Sequence, residues 1–103
     1  MTDTIVMPDE CTSMAEVRAG VDATDQELVA LLERRFGYMR AAARIKPSRG
    51  TVRDEVRKAA VIKAAGEASA LRGMPRDRIE AICELLVENS IAYEFEIWDE
   101  TRG

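Results

Sequence analysis

Residues 13–46 constrain every fold open to this chain. Apolar side chains recur there at Met14, Val17, Val21, Leu28, Leu31, Leu32, Phe36, Met39, Ala42, Ala43 and Ile45, mostly three or four positions apart, the spacing of one helical face. Only Gly20 and Gly37 are weak helix formers, and no proline intervenes before Pro47. At about 1.5 Å per residue such a helix is roughly 50 Å long, whereas a globule of about 100 residues has a radius of gyration of about 13 Å. One chain of this size cannot surround it. The helix is expected to protrude, to form a coiled coil, or to be shared with a second chain.

The remainder also reads as helix. Ser13-Met14-Ala15-Glu16 has the form of a capping box, with Ser three positions before Glu. Residues 1–12, interrupted by Pro8, are expected to form a loose arm, and residues 13–103 a single helical domain. Pro47 ends the first helix, since the residue before a proline is pushed out of helical geometry. Pro47-Ser48-Arg49-Gly50-Thr51 reads as a loop able to act as a lid. A second helix is expected from Arg53 or Asp54, where acidic side chains suit the positive end of the helix dipole, to the Arg72-Gly73-Met74-Pro75 break. A third should run from Pro75 to about Asp99, with an inward stripe of Ile79, Ile82, Cys83, Leu85, Leu86, Asn89, Ser90, Tyr93, Ile97 and Trp98 and a ragged end at residues 101–103. The expected fold class is all-α.

The composition narrows the chemistry. The net charge of −4 disfavours a general nucleic-acid binder, though an anionic small molecule remains a suitable partner. Histidine is absent, and Cys11 and Cys83 lack the spacing of metal ligands, so no metal site is expected. Free thiols fit a reducing cytoplasm. The N-terminus, with Asp3, Asp9 and Glu10, does not read as a secretory signal, and no apolar run is long enough to span a membrane.

Polar residues on apolar faces carry the functional signal. Arg35 and Lys46, about three turns apart, share nearly one face of the first helix, whereas Arg18 points roughly 100° away from Arg35. Arg57 falls between Val56 and Ala60, and Asn89, Ser90 and Glu94 interrupt the stripe of the third helix. Charges inside a bundle are costly unless paired or met by a ligand. Either Arg35, Arg57 and Glu94 form surface or buried ion pairs and Arg18 is a solvated rim residue, or an excess of cations lines a cavity for a polycarboxylate, whose carboxylates match arginine forks. With no histidine and no nucleophile beside a base, acyl or phosphoryl transfer is not expected. A rearrangement that needs only positioning and electrostatic stabilisation is compatible with this set.

Arg18, Arg35, Lys46, the Val52-Arg53-Asp54 start of the second helix, Arg57, Ser90 and the polar group at Glu94 together resemble the all-helical chorismate mutases, over about residues 10 to 103. The spacings Arg35–Lys46, Lys46–Arg57 and Arg57–Glu94 agree with that family without gaps. Glu10-Cys11-Thr12, Ala15-Glu16-Val17-Arg18, Ala41-Ala42-Ala43-Arg44-Ile45-Lys46 and the Trp98…Thr101-Arg102-Gly103 end are most similar to the subgroup that includes isochorismate pyruvate lyase, whereas Val52-Arg53-Asp54 looks more like the true mutases.

The resemblance implies an intertwined homodimer of three-helix chains with two shared sites and no cofactor. Each site would take Arg35, Lys46, Arg57 and Glu94 from one chain and Arg18 from the other, with Asp54 and Ser90 among the substrate-binding positions. The three arginines would grip the two carboxylates of the substrate, and Lys46 with the group at position 94 would donate hydrogen bonds to its ether oxygen. Two residues depart from the family pattern. Many members carry Gln at position 94, and a Glu there can donate only when protonated. The mutases often have Glu where this chain has Lys58, which alters the contact to the ring hydroxyl. Chorismate mutase activity, giving prephenate, is the first expectation, and isochorismate pyruvate lyase activity, giving salicylate and pyruvate, the alternative. A non-catalytic helical dimer is a third, more distant reading.

Overall fold

The computed structural model describes residues 5–102. Among them are three α-helices and no strand: α1 (Met14–Ile45), α2 (Glu55–Leu71) and α3 (Arg76–Arg102), with 3-10 turns at Pro8–Glu10 and Arg49–Thr51. The chain divides into two compact units, Met1–Phe36 and Gly37–Gly103, with the boundary inside α1.

In the first unit, Ser13 caps α1. Its hydroxyl accepts the Glu16 backbone N–H at 3.2 Å, and its carbonyl accepts the first helical bond from Val17. The Glu16 carboxylate reaches back to the Thr12 amide at 2.8 Å and to the Thr12 hydroxyl at 3.1 Å. These bonds hold the Glu16 carboxyl below its usual range, the Thr12 amide being the main cause. The reciprocal bond thus lands one residue earlier than in the standard capping box. Of the arm expected to be loose, residues 1–4 lie outside the described residues. The rest folds back beside α1: Ile5, Val6, Pro8 and Cys11 face Val17, Gly20, Val21 and Thr24 across a cleft of about 580 Å³.

The second unit is built on a helical hairpin. α2 starts at its N-cap Asp54, whose carboxylate accepts the Arg57 amide at 2.9 Å. It runs through Gly66 because that position is buried and the Glu80 side chain lies where a Cβ would sit. It closes on Gly73, whose φ of +72° is the left-handed conformation that glycine adopts freely, with Met74 N–H returning to Ser69 O at 2.9 Å. Contacts Arg53–Glu88, Lys58–Glu84 and Gly66–Glu80 run in opposite senses along the chain, so α2 and α3 are antiparallel. The core joins Ala43, Val52, Val87, Ile91 and Trp98, with Val61, Phe95 and Ile97 packed against it.

α1 ends at Ile45, next to the expected stop before Pro47, and the Lys46 amide still bonds to Ala42 O. Two expectations need correcting. Of the expected α3 stripe, Ser90 and Trp98 are buried and Ile79, Cys83, Leu86, Tyr93 and Ile97 half-buried, but Asn89 is exposed, Ile82 and Leu85 are 61% and 67% exposed, and Val87, Ile91 and Glu94 are buried instead. The offset arises because α2 covers the other side of α3. Finally, α3 continues past Asp99 to Arg102, since Thr101 Oγ1 bonds back to Ile97 O and the Arg102 guanidinium stacks on Trp98 at 3.3 Å. Gly103 lies outside the described residues.

Candidate functional site

Three parts of the second unit converge on one point. The end of α1 delivers Lys46, the connector to α2 delivers the Val52 carbonyl, and α3 delivers Glu94. Lys46 Nζ donates to Val52 O at 3.2 Å and lies 2.7 Å from Glu94 Oε2. The Glu94 side chain is 5% exposed and that of Lys46 29%, so the pair sits at the edge of the interior with the ammonium on the wet side. By distance the contact is an ion pair. By direction it is poor, because no donor among the described residues points along a lone pair of Oε2. Separation fixes the Coulombic attraction and alignment fixes the hydrogen bond, so this pair has the first without the second. A buried carboxylate oxygen with no aligned donor is a group ready to meet a ligand.

The other expected residues surround this pair or stand apart from it. Ser90, one turn before Glu94 on the same buried face, donates to Leu86 O at 2.7 Å. Asp54 is occupied as the cap of α2 through one carboxylate oxygen. Arg57 follows in the first turn of α2 and is exposed, and among the described residues its guanidinium has no ion-pair partner. The ion-pair reading for Glu94 is therefore realised with Lys46 and not with Arg57. Arg18 and Arg35 belong to the first unit, Arg18 exposed and Arg35 half-buried on α1.

A second charged cluster holds the hairpin together. Arg53 grips Glu88 through both terminal nitrogens, at 2.8 and 3.1 Å, and also pairs with Glu55. Lys58, only 16% exposed, lies 2.7 Å from both Glu84 and Glu88. Arg53, and next Lys58, hold the Glu88 carboxyl down at about 2, while Glu84 and Glu88 push the Lys58 ammonium above its ordinary range. The lysine that stands where the mutases often have glutamate is thus bound to α3.

Sequence reasoning noted Arg49 in the loop after Pro47 and Arg102 in the chain's ending but found the partners of neither. Arg49 forms a two-point bond to Asp99 at 2.9 and 3.2 Å and stacks 4.5 Å from the Phe95 ring centre. Arg102 donates to the Arg44 and Lys46 carbonyls at 3.3 and 3.1 Å. Partners 50 or more positions apart leave no periodic signal. The traces in the sequence were the loop that holds Arg49 and the matched Trp98…Arg102 ending. Among the described residues no group of His, Cys, Asp and Glu gathers where it could hold a metal ion, and no helix is long and apolar enough to cross a membrane.

The second unit thus sets a cation and a buried carboxyl side by side, and Arg57 in the first turn of α2 has no ion-pair partner among the described residues. Residues 17–95 match the family described as chorismate mutase type II. The chain is also similar to the isochorismate pyruvate lyase of Pseudomonas aeruginosa, with 29% identity over 96 residues, covering 93% of this chain and 95% of that protein.

Proposed function

The chain belongs to the type II chorismate mutase family, and from that premise we propose that it catalyses the rearrangement of chorismate to prephenate. The observation that carries this reading is the Lys46–Glu94 pair, two polar groups set side by side at the rim of a helical core. In the rearrangement the ether carbon–oxygen bond breaks as a carbon–carbon bond forms, and the ether oxygen gains negative charge. Lys46 and a protonated Glu94 donate to that oxygen, which favours the transition state over the ground state. Arg57 and Arg35 hold the two carboxylates, with Arg18 supplied by a second copy of the chain. Gripping both carboxylates folds the enolpyruvyl arm over the ring and removes much of the entropic cost of the reactive conformer. Asp54 and Ser90 line the same site.

A second reading is favoured by one observation, the name of the relative from Pseudomonas aeruginosa. In it the same residues stabilise the ether oxygen of isochorismate, and the products are salicylate and pyruvate. Both reactions break the same type of bond and need the same donors. Incubating the protein separately with chorismate and with isochorismate separates them. Prephenate from chorismate at a higher kcat/KM than salicylate from isochorismate is the expected result, and the reverse order assigns the chain to the lyase. Turnover of neither would reject both.

A further inference from the structure

Lys46 leaves α1 where the helix has run out of its own donors. Pro47 has no N–H, and the last carbonyls of any helix lack the amides that would follow. Here a side chain from the other end of the unit supplies them. Arg102, in the final turn of α3, places Nη2 3.3 Å from Arg44 O and 3.1 Å from Lys46 O. Its Nη1 lies 3.2 Å from Thr101 Oγ1, and its guanidinium carbon lies 3.3 Å over the ring of Trp98, a core residue. A cation at a helix C-terminus is favoured by the dipole, and a guanidinium stacked on a buried indole is fixed in direction as well as position. Arg102 thus joins a rigid platform to the backbone of one residue of the site.

That residue needs the support. A lysine ammonium is a point charge on a four-carbon stem with many rotamers. Its aim is set by where the stem begins and by what the tip meets. The tip meets Val52 O and Glu94 Oε2. Val52, 2% exposed, and Glu94 are both fixed in the core of this unit. The backbone end is held on its amide side by the Lys46 N–H to Ala42 O bond, and Arg102 holds its carbonyl side, which the helix leaves open. We propose that Arg102 is a positioning residue for Lys46: by clasping the Arg44 and Lys46 carbonyls while stacked on Trp98, it sets the direction in which the Lys46 side chain leaves α1 and so holds the ammonium on Glu94. Arg102 touches no substrate and acts through Lys46. The catalytic consequence rests on the reaction proposed above, whereas the structural link does not.

Two readouts test it. Trace acetylation of the folded protein with acetic anhydride, followed by peptide mass spectrometry, gives the reactivity of the Lys46 amine relative to the exposed Lys63. In Arg102→Ala this ratio should rise at least about threefold, because an ammonium no longer held on Glu94 is open to acylation, while the ratio for Lys58, held by Glu84 and Glu88, should not move. In kinetics, Arg102→Ala should lower kcat per folded molecule by about tenfold with little change in KM, and Arg102→Lys, which keeps the charge and loses the stacked fork, should recover part of it. Adding Arg102→Ala to Lys46→Ala should cost nothing further. An unchanged Lys46 ratio, or an unchanged kcat in an active enzyme, overturns the proposal, as does full additivity with Lys46→Ala. If Arg102→Ala does not fold, Arg102→Gln and Arg102→Lys carry the same comparison. If the wild type turns over neither substrate, the proposed reaction fails, and the labelling ratio alone still decides whether Arg102 positions Lys46.

Discussion

Position 94 determines which hydrogen-bond partner the site offers an ether oxygen. A carboxylate only accepts, whereas a carboxylic acid donates. Glu94 faces the Lys46 ammonium at 2.7 Å, with no aligned donor on Oε2. Catalysis by donation therefore requires a proton to be taken up before or with substrate binding. The wild-type kcat/KM should rise as pH falls. Glu94→Gln donates at every pH, so its profile should be flat and its advantage greatest at alkaline pH. A wild-type profile that is level between about pH 5 and 8 would rule out the protonated donor. The identity of this residue was legible in the sequence, and so was the anomaly of a charge on an apolar stripe. Its partner was not, because the spacing offered Arg35 and Arg57 as its counter-ions and only the fold brings Lys46 to it.

At the scale of elements, local rules were readable and remote ones were not. The α1 start at Ser13, the α2 cap at Asp54 and the break at Gly73 each depend on residues within a few positions, and each was visible as a short pattern. The end of α3 was missed because Arg102 is held by Trp98 and by the carbonyls of Arg44 and Lys46. The pairing of α2 with α3 was likewise invisible, since the Arg53–Glu88–Lys58 cluster joins positions 30 and 35 apart. That cluster gives the hairpin a defined acid response. Arg53 and Lys58 depress the Glu88 carboxyl from its ordinary 4.5 to about 2 in the folded chain. A depressed folded value means that the stabilisation is fully present above the unfolded titration and is lost as pH falls from about 4.5 to about 2. All of these groups are near solvent, so salt will weaken the effect. Thermal unfolding at a series of pH values should show Glu88→Gln less stable than wild type at pH 7, with the gap closing as pH falls through that window. A gap that stayed constant to about pH 2 would show that Glu88 contributes through packing instead of charge.

For the whole molecule, the proposed site residues are divided between the two units: Arg18 and Arg35 in the first, Lys46, Arg57 and Glu94 in the second. The first unit leaves Val21, Leu28 and Leu31 at least half exposed, and the second leaves Ile82 and Leu85 so. Large apolar side chains uncovered in both units are what a second copy would bury, in keeping with a first helix too long for one small globule. If the second copy also supplies Arg18, subunits should complement one another. Arg18→Ala and Arg35→Ala should each lose about a hundredfold in kcat/KM, the cost of one charged hydrogen-bond partner for a carboxylate. When equal amounts are unfolded and refolded together, half the dimers are mixed. In a mixed dimer one site carries both lesions and the other carries neither, so the pool should recover about a quarter of wild-type activity. If each site instead drew Arg18 and Arg35 from a single chain, every site in every dimer would carry one lesion and nothing would return. Mass spectrometry of the native dimers, with one variant isotopically labelled, verifies the exchange. Activity near a quarter then identifies α1 as a helix that serves two sites, and no recovery in a pool shown to be mixed rejects the shared site.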